Sequence, residues 1–359
     1  MKKYLFFFCS FLFLHGAQSE FAFENTNYIL HSKSALDDKP YMYDFNRFRI
    51  TNDWSFDEVR FKIIVDNENI ISNEFLKTKE FDSLSTYEPD LPFETNSEFA
   101  GDDNLQNRFK LHRAYGEYFS QKHAITFGLF NTPFGVGRIW TPVDVFSPLN
   151  SLSLEVDERE GNFGAKYEYA INDLSALQVV ISQTKEEKTK KAIRAKGYLD
   201  FADFAVLAVE TNLFKMAGYE FDSEILDTSI GFRSEGGIFE DKATQNSYNK
   251  YILGVDYGFE NSFFTLEYLH SQINQYTNIK EDSSYLGLHA SFTPSMLWNL
   301  NFLAIRNLDD ESFVFYPSAV YSLSDEETLS FGLTTSSGEE DSDFGALKPL
   351  YFAKWDINF

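Results

Sequence analysis

From residue 251 the chain reads YILGVDYGF, and its side chains separate in steps of two. Tyr251, Leu253, Val255, Tyr257 and Phe259 fall on one face, and Gly254, Asp256 and Gly258 on the other. A strand sends successive side chains to opposite faces, so this is the period of a half-buried strand. Three more segments repeat it. Leu286, Leu288, Ala290 and Phe292 oppose Tyr285, Gly287, His289 and Ser291. Trp298, Leu300, Phe302 and Ala304 oppose Asn299, Asn301 and Leu303, and Leu329, Phe331 and Leu333 oppose Ser330, Gly332 and Thr334. A helical period fits none of the four. The same reading predicts strands at 22–31, 40–51, 57–67, 107–118, 121–131, 160–170, 174–184, 190–199 and 202–212. It continues with 214–223, 226–238, 248–259, 262–272, 283–292, 297–307, 312–322, 328–337 and 347–359, eighteen in all. Sixteen is the alternative, should the weak pair within 214–238 not form. Short connections (NDWS, SQKH, ENS, TPS, SDEE) alternate with longer, mostly acidic ones (FEDKATQNS, NQYTNIKEDS, SGEEDSDF).

Composition decides what such strands build. Aromatic residues make up 18% of the chain, with 39 Phe and 20 Tyr, yet the mean hydropathy is −0.32. An all-β, antiparallel up-and-down transmembrane barrel reconciles the two, being apolar outside and polar within. Alternating short turns and long loops are expected of it. Trp54 in a short connection, Trp298 and Trp355 suit a membrane–water interface, where indole is favoured. Trp140 does not.

The first residues, MKKYLFFFCSFLFLHGAQSE, pair two lysines with an apolar run, Tyr4–Leu14, and a small-residue cleavage site ending at Ser19. This is the pattern of an export signal, with residues 20–359 forming the barrel. Cys9 leaves with the signal, and the rest of the chain has no cysteine. The formal charge of −24 becomes −26 without Lys2 and Lys3, which excludes nucleic acid as a partner.

Two connections break the rhythm. The stretch 68–106 is acidic, contains Pro89 and Pro92, and reads as a long outer loop. The stretch 132–159, TPFGVGRIWTPVDVFSPLNSLSLEVDER, has too many prolines and glycines for a wall strand. It is also too apolar for a solvated loop, with Phe134, Val136, Ile139, Trp140, Val143, Val145, Phe146 and Leu149. A long loop with its own apolar cluster packs on something. In a barrel the available surface is the lumen wall, so the loop is expected to fold inward and narrow the pore. The candidate constriction residues are Arg138, Trp140, Asp144, Asp157, Glu158, Arg159 and Glu160, since charges at a narrow, low-dielectric point sort ions. Arg138 and Asp144 could equally pair with each other and pin the loop. Asp256, His289, Lys354 and Asp356 are expected to face the lumen.

The segment ITFGLFNTPFGVGRIWTPVDVFSPLNSL resembles one shared by porin-like outer-membrane β-barrel proteins of Gram-negative bacteria. The carrying positions are Gly135, Gly137, Arg138, Trp140, Pro142, Asp144, Phe146 and Pro148. The final strand, YFAKWDINF, aligns Tyr351, Ala353, Trp355, Ile357 and Phe359 on one face. With the closing Phe359 it resembles the signature read by the barrel-assembly machinery, with Tyr351, Trp355, Ile357 and Phe359 as the assembly signal. The resemblance implies a cell-outer-membrane location and pore formation.

The expected function is a porin, a channel for passive diffusion of ions and small hydrophilic solutes with weak cation preference. The alternative is a non-conducting barrel, an adhesin or a sheath around a partner protein. No enzyme is expected: His31, His112, His123, His270 and His289 lie in no catalytic pattern, and His15 leaves with the signal. No cofactor and no zinc-type metal site are expected. The partners expected are outer-membrane lipid and lipopolysaccharide, the barrel-assembly machinery with periplasmic chaperones, and small solutes or ions, with homo-oligomerisation left open.

Overall fold

A computed structural model describes residues 18–85, 89–225, 228–277 and 281–359. The leader lies outside the described residues, except that Gln18 and Ser19 stand in the first strand opposite Ser55 and Trp54. Among the described residues nineteen strands follow one another in sequence. They are β1 (Gln18–Lys33), β2 (Pro40–Phe56), β3 (Val59–Ile71), β4 (Asn96–Gly101), β5 (Leu105–Phe119), β6 (His123–Phe130) and β7 (Asn162–Asn172). Next come β8 (Ser175–Gln183), β9 (Thr189–Leu199), β10 (Ala202–Glu210), β11 (Phe214–Glu224), β12 (Ile230–Asp241) and β13 (Ser247–Phe259). The wall is completed by β14 (Ser262–Ser271), β15 (Ser283–Ser295), β16 (Trp298–Asn307), β17 (Phe313–Ser322), β18 (Glu327–Ser337) and β19 (Leu350–Asn358).

Eighteen of these form a closed antiparallel barrel, and β4 is an accessory strand. Closure joins β19 to β1, from Glu24 opposite Asn358 to His31 opposite Tyr351. The N–H of Phe359, one residue past β19, donates to Phe23 O at 2.8 Å. Closure leaves the barrel wall without an edge strand, which is what a membrane-spanning sheet requires. The pair β11–β12 forms, which settles the count against sixteen.

The alternation read from sequence is the alternation of the wall. Leu253, Val255, Tyr257, Leu286, Leu288, Phe331, Tyr351, Trp298 and Trp355 point outward and are exposed, while Ile252, Tyr285 and Ile305 are fully buried inside. Two short connections belong elsewhere. NDWS lies within β2, so Trp54 is a strand residue and the turn falls at Asp57–Glu58. TPS lies within β15, with the turn after Ser295. In both cases a polar stretch resembles a turn because the strand end leaves the apolar belt. Asp57 and Glu260 take φ of 48° and 49° in two-residue turns, as hairpins of this kind require.

The wall is uneven in height. Strands β1 and β2 have 16 and 17 residues, whereas β6 has 8 and β8 and β10 have 9. The outer half of β5 therefore extends past β6 and pairs with β4 instead. The connection before β4 carries a 3-10 turn (Phe75–Lys77) and α1 (Lys79–Ser85). Phe75 is buried on Tyr41 and Tyr43, with Tyr43 stacked at 4.4 Å. Farther along, Asp90 meets Lys190 at 3.2 Å above the low side of the wall.

Candidate functional site

Where β6 ends, the chain turns into the lumen and returns at β7; this loop, 131–161, touches the wall on three sectors. Phe134, Val143 and Phe146 pack on Val180, Ala192, Leu207, Val209, Met216 and Phe239. Ile139 and Trp140 pack on Ile252, Leu269, Tyr285, Leu303 and Ile305. Leu154 joins a third cluster with Tyr28, Leu30 and Phe352 of the closing seam. The apolar residues that make this loop unfit for water are the ones that seat it.

Its backbone is held by wall carboxylates. Glu235 of β12 accepts the N–H groups of Val136, Gly137 and Val143. Glu267 of β14 accepts those of Arg138, Ile139 and Trp140 at 2.7, 2.9 and 3.2 Å. Glu220 of β11 accepts the Gly135 N–H at 3.0 Å and pairs with Arg194. Both Glu235 and Glu267 are fully buried, and a carboxylate survives there only when its lone pairs are filled. Arg233, also buried, donates to Val136 O and pairs with Asp256 and Glu267. This explains the glycines. Gly135 takes φ of +89°, and a Cβ there would collide with the Glu235 carboxylate; one on Gly137 would collide with the Trp140 carbonyl and with Ile252. Close approach of backbone to carboxylate requires both positions to lack a side chain.

The far end of the loop is held by charge. Arg47 of β2 makes two hydrogen bonds to Glu155, at 2.7 and 2.8 Å. Arg49 of β2 grips Asp66 on one side and Glu158 on the other, and His112 Nε2 lies 3.3 Å from Glu158. Burial alone would raise Glu158, but the Arg49 hydrogen bonds and charge, with Arg47 beside them, hold it down to about 2. Asp144 goes the other way. Burial pushes it up to about 6, against the N–H groups of Ser147, Phe134 and Phe146 and the charge of Arg159.

The residues expected at a constriction therefore divide. Arg138 and Asp144 do not pair: Arg138 reaches Asp256 at 3.1 Å and lies over the Phe263 ring, while Asp144 meets Arg159 at 3.4 Å. The Asp144 side chain is wholly buried, and Trp140 is buried with its Nε1 donating to Tyr276 Oη at 3.1 Å. Both seat the loop. The Arg138 side chain is 51% exposed, so it stays open to the lumen solvent. Asp157 and Glu160 are exposed, and Glu158 and Arg159 half-buried. Asp256, Lys354 and Asp356 face inward: Asp256 takes Arg138, Arg233 and Thr265, and Lys354 lies 3.0 Å from Asp356 and 3.8 Å from Glu155. His289 shares the inward face of Tyr285 and Gly287.

Solvent reaches the loop from both sides. A cavity of about 150 Å³ lies between its acidic end and the β2–β3–β5 wall, lined by Arg47, Asp66, His112, Glu155, Glu158 and Arg159. Another, of about 410 Å³, reaches from Val136 to the short turn at Asp173–Leu174, lined by Glu168, Arg194, Lys196, Asp203 and Glu220.

No protein-family model and no curated protein matches this chain. Solved structures do. OccAB3 of Acinetobacter baumannii superposes with a TM-score of 0.61 at 9% identity, over 95% of this chain and 99% of the other. The outer membrane protein OpdK of Pseudomonas aeruginosa gives 0.62 at 6% identity, over 95% and 98%. OprD of Pseudomonas aeruginosa gives 0.60 at 9% identity, over 95% of each chain. This chain has their fold. At such identity the likeness carries the eighteen-stranded architecture and none of the residue chemistry.

The sequence reading missed Glu220, Glu235 and Glu267. Each stands at an inward position of its strand, and Glu235 is followed by two glycines. A carboxylate in the inward phase of a strand whose neighbours are apolar or glycine was the available signal. Among the described residues no group of three or more His, Cys, Asp or Glu side chains is arranged to hold a metal ion.

Proposed function

We propose that this protein is an outer-membrane channel for passive diffusion of ions and small hydrophilic solutes, weakly selective for cations. The observation that carries the reading is a polar lumen crossed by a fixed loop with charged cavities on both sides. The outward belt of exposed Leu, Ile, Phe and Tyr supports a bilayer setting, and the shared fold with an outer membrane protein supports which membrane. A specific observation favours the second reading, a non-conducting barrel serving as adhesin or sheath. The loop meets the wall on three sectors, as a plug would. Unitary conductance of the purified protein in planar bilayers separates the two.

Selectivity follows from which charges stay uncompensated. The arginines Arg47, Arg49, Arg108, Arg159, Arg194 and Arg233 are each paired with a carboxylate, whereas Arg113 donates to the carbonyls of His112 and Arg159. Asp203 and Asp222 oppose each other across β10–β11, with no ion pair to either among the described residues. The residual field is negative but small, and salt near 1 M, with a screening length of ~3 Å, should erase it. Arg138→Gln is expected to strengthen the cation preference, since it removes a half-exposed positive charge. The Asp144 carboxyl, held near 6 by burial, gains its proton as pH falls from 7 to 5, while Glu158, held near 2, stays charged. Cation preference should therefore weaken over that interval, read as a shift in reversal potential in a KCl gradient. Asp144→Asn should weaken the preference at pH 7 and flatten the pH response. A wild-type channel that prefers anions at every salt concentration contradicts the charge inventory.

Assembly supplies a further test. Tyr351, Trp355 and Phe359 are exposed on the outer face of the closing strand, beside Ile357. We take them as the surface that the barrel-assembly machinery reads. Phe359→Asp is expected to leave little folded barrel in the outer membrane. A charge on the lipid face costs about 2–4 kcal/mol at the midplane and less at the interface, so recognition would carry most of the loss. Normal amounts of heat-modifiable, folded variant in outer-membrane fractions would remove this role.

A further inference from the structure

Arg306 is the puzzle of the outer wall. It lies one residue before the end of β16, points outward with Phe302 and Ala304, and is exposed. No carboxylate lies within ion-pairing distance of it among the described residues, and its cross-strand neighbours are Leu286 and Phe313. An unpaired guanidinium on an apolar wall is tolerated only near the membrane surface, where it can reach a counter-ion.

A polar network lies beside it on the same outward face. Tyr268 of β14 donates its hydroxyl to Ser284 Oγ of β15 at 3.2 Å, and His270 Nδ1 is 3.3 Å from the same oxygen. Tyr251 of β13 closes the side, with its ring 5.3 Å from that of His270. The register puts Tyr268, Leu286 and Arg306 in one cross-strand row, with His270 and Ser284 one row nearer the long-loop rim. Below them, away from that rim, the outward residues are Leu253, Leu266, Leu288 and Phe302. The patch carries one guanidinium and several hydrogen-bonding groups at the rim, where Asp309 accepts the Ser284 N–H at 2.6 Å and leaves the hydroxyl free to face outward, and it is purely apolar beneath. That is the polarity profile of one lipid: a phosphate above, acyl chains below.

We propose that Arg306, His270, Ser284 and Tyr268 form a site for the phosphate of a phosphorylated lipid in the leaflet at the long-loop rim. Arg306 supplies the charge and a forked pair of donors, which suit phosphate oxygens. The Tyr268 and Ser284 hydroxyls and the His270 imidazole supply further hydrogen bonds, and the apolar wall beneath orders the chains. The inference rests on the membrane-barrel reading and is independent of conduction, because these side chains face away from the lumen.

The test uses the purified, folded full-length barrel in detergent, with bound lipid counted by native mass spectrometry after incubation with bisphosphorylated lipid A. Arg306→Gln and the double variant with His270→Gln are expected to retain at least tenfold less lipid than wild type. Fully dephosphorylated lipid A should be retained weakly by all three proteins. Millimolar inorganic phosphate should not displace the lipid, since it lacks the chains. Equal retention of lipid A by wild type and variants, or equal retention of the two lipids by wild type, overturns the site. Displacement by free phosphate overturns the lipid as occupant. Heat-modifiability shows that each variant is folded. Conductance in planar bilayers should be unchanged in the variants, so a failure of the channel reading appears in that measurement and not in lipid retention.

Discussion

Replacing residues 138–156 with a short Gly-Ser linker is expected to raise unitary conductance severalfold and to reduce what remains of ion selectivity. The segment removes Ile139, Trp140, Val143 and Phe146, which fill the lumen against two wall clusters, and Asp144 and Glu155, which fix its charge. The wall itself should survive. Its eighteen strands pair through backbone ladders that do not pass through the loop, and β6 pairs with β7 from His123–Tyr169 to Phe130–Asn162 without it. Two costs remain in the variant: Glu267 loses the N–H groups of Arg138, Ile139 and Trp140 and Glu235 that of Val143, and inward Leu and Ile side chains meet water. Both weaken the barrel by less than loss of a ladder would, because the opened lumen hydrates the freed carboxylates. A folded variant with wild-type conductance would show that the path of ions avoids the loop altogether.

Removing the anchor while keeping the loop gives the second large effect. Glu235→Ala leaves the N–H groups of Val136, Gly137 and Val143 without an acceptor. An unsatisfied buried donor costs about 1–3 kcal/mol, so three of them compete with the apolar contacts that seat the loop. Gly137→Ala reaches the same end through sterics, since its Cβ has no room beside the Trp140 carbonyl. Both variants are expected to show noisy, larger current steps and cleavage by added protease within 131–161, where the wild type resists. Glu235→Gln, which keeps one acceptor oxygen, should fall between. Quiet wild-type currents and intact loops in Glu235→Ala and Gly137→Ala would mean that the apolar clusters alone hold the loop.

The strands were legible because a wall between lipid and water imposes period two on every segment, as at Leu253, Val255 and Tyr257 against Ile252, Gly254 and Asp256. The inward loop was legible for a related reason, since Phe134, Ile139, Trp140 and Phe146 have no place in a solvated connection. β4 was not. Its residues, NSEFAG, have no apolar face, and it forms because β6 is too short to cover the outer half of β5. The anchoring carboxylates were illegible as partners because Glu220, Glu235 and Glu267 lie 85 to 129 residues from the N–H groups they accept, and only barrel closure brings them there. Asp144 shows a different limit. Its charge suggested a side chain touching passing ions, but which way a loop side chain points depends on the neighbours that the fold supplies; here it turns into the protein and pairs with Arg159, so its charge reaches the lumen through that pair.

Whether the barrel conducts is decided by single-channel recording of the purified full-length protein in planar bilayers under a KCl gradient. Discrete unitary steps are expected, with a reversal potential on the cation side at low salt that moves toward zero as salt approaches 1 M. Protein shown by heat-modifiability to be folded and inserted, yet producing no steps, would contradict the channel reading and leave the plugged, non-conducting barrel in its place.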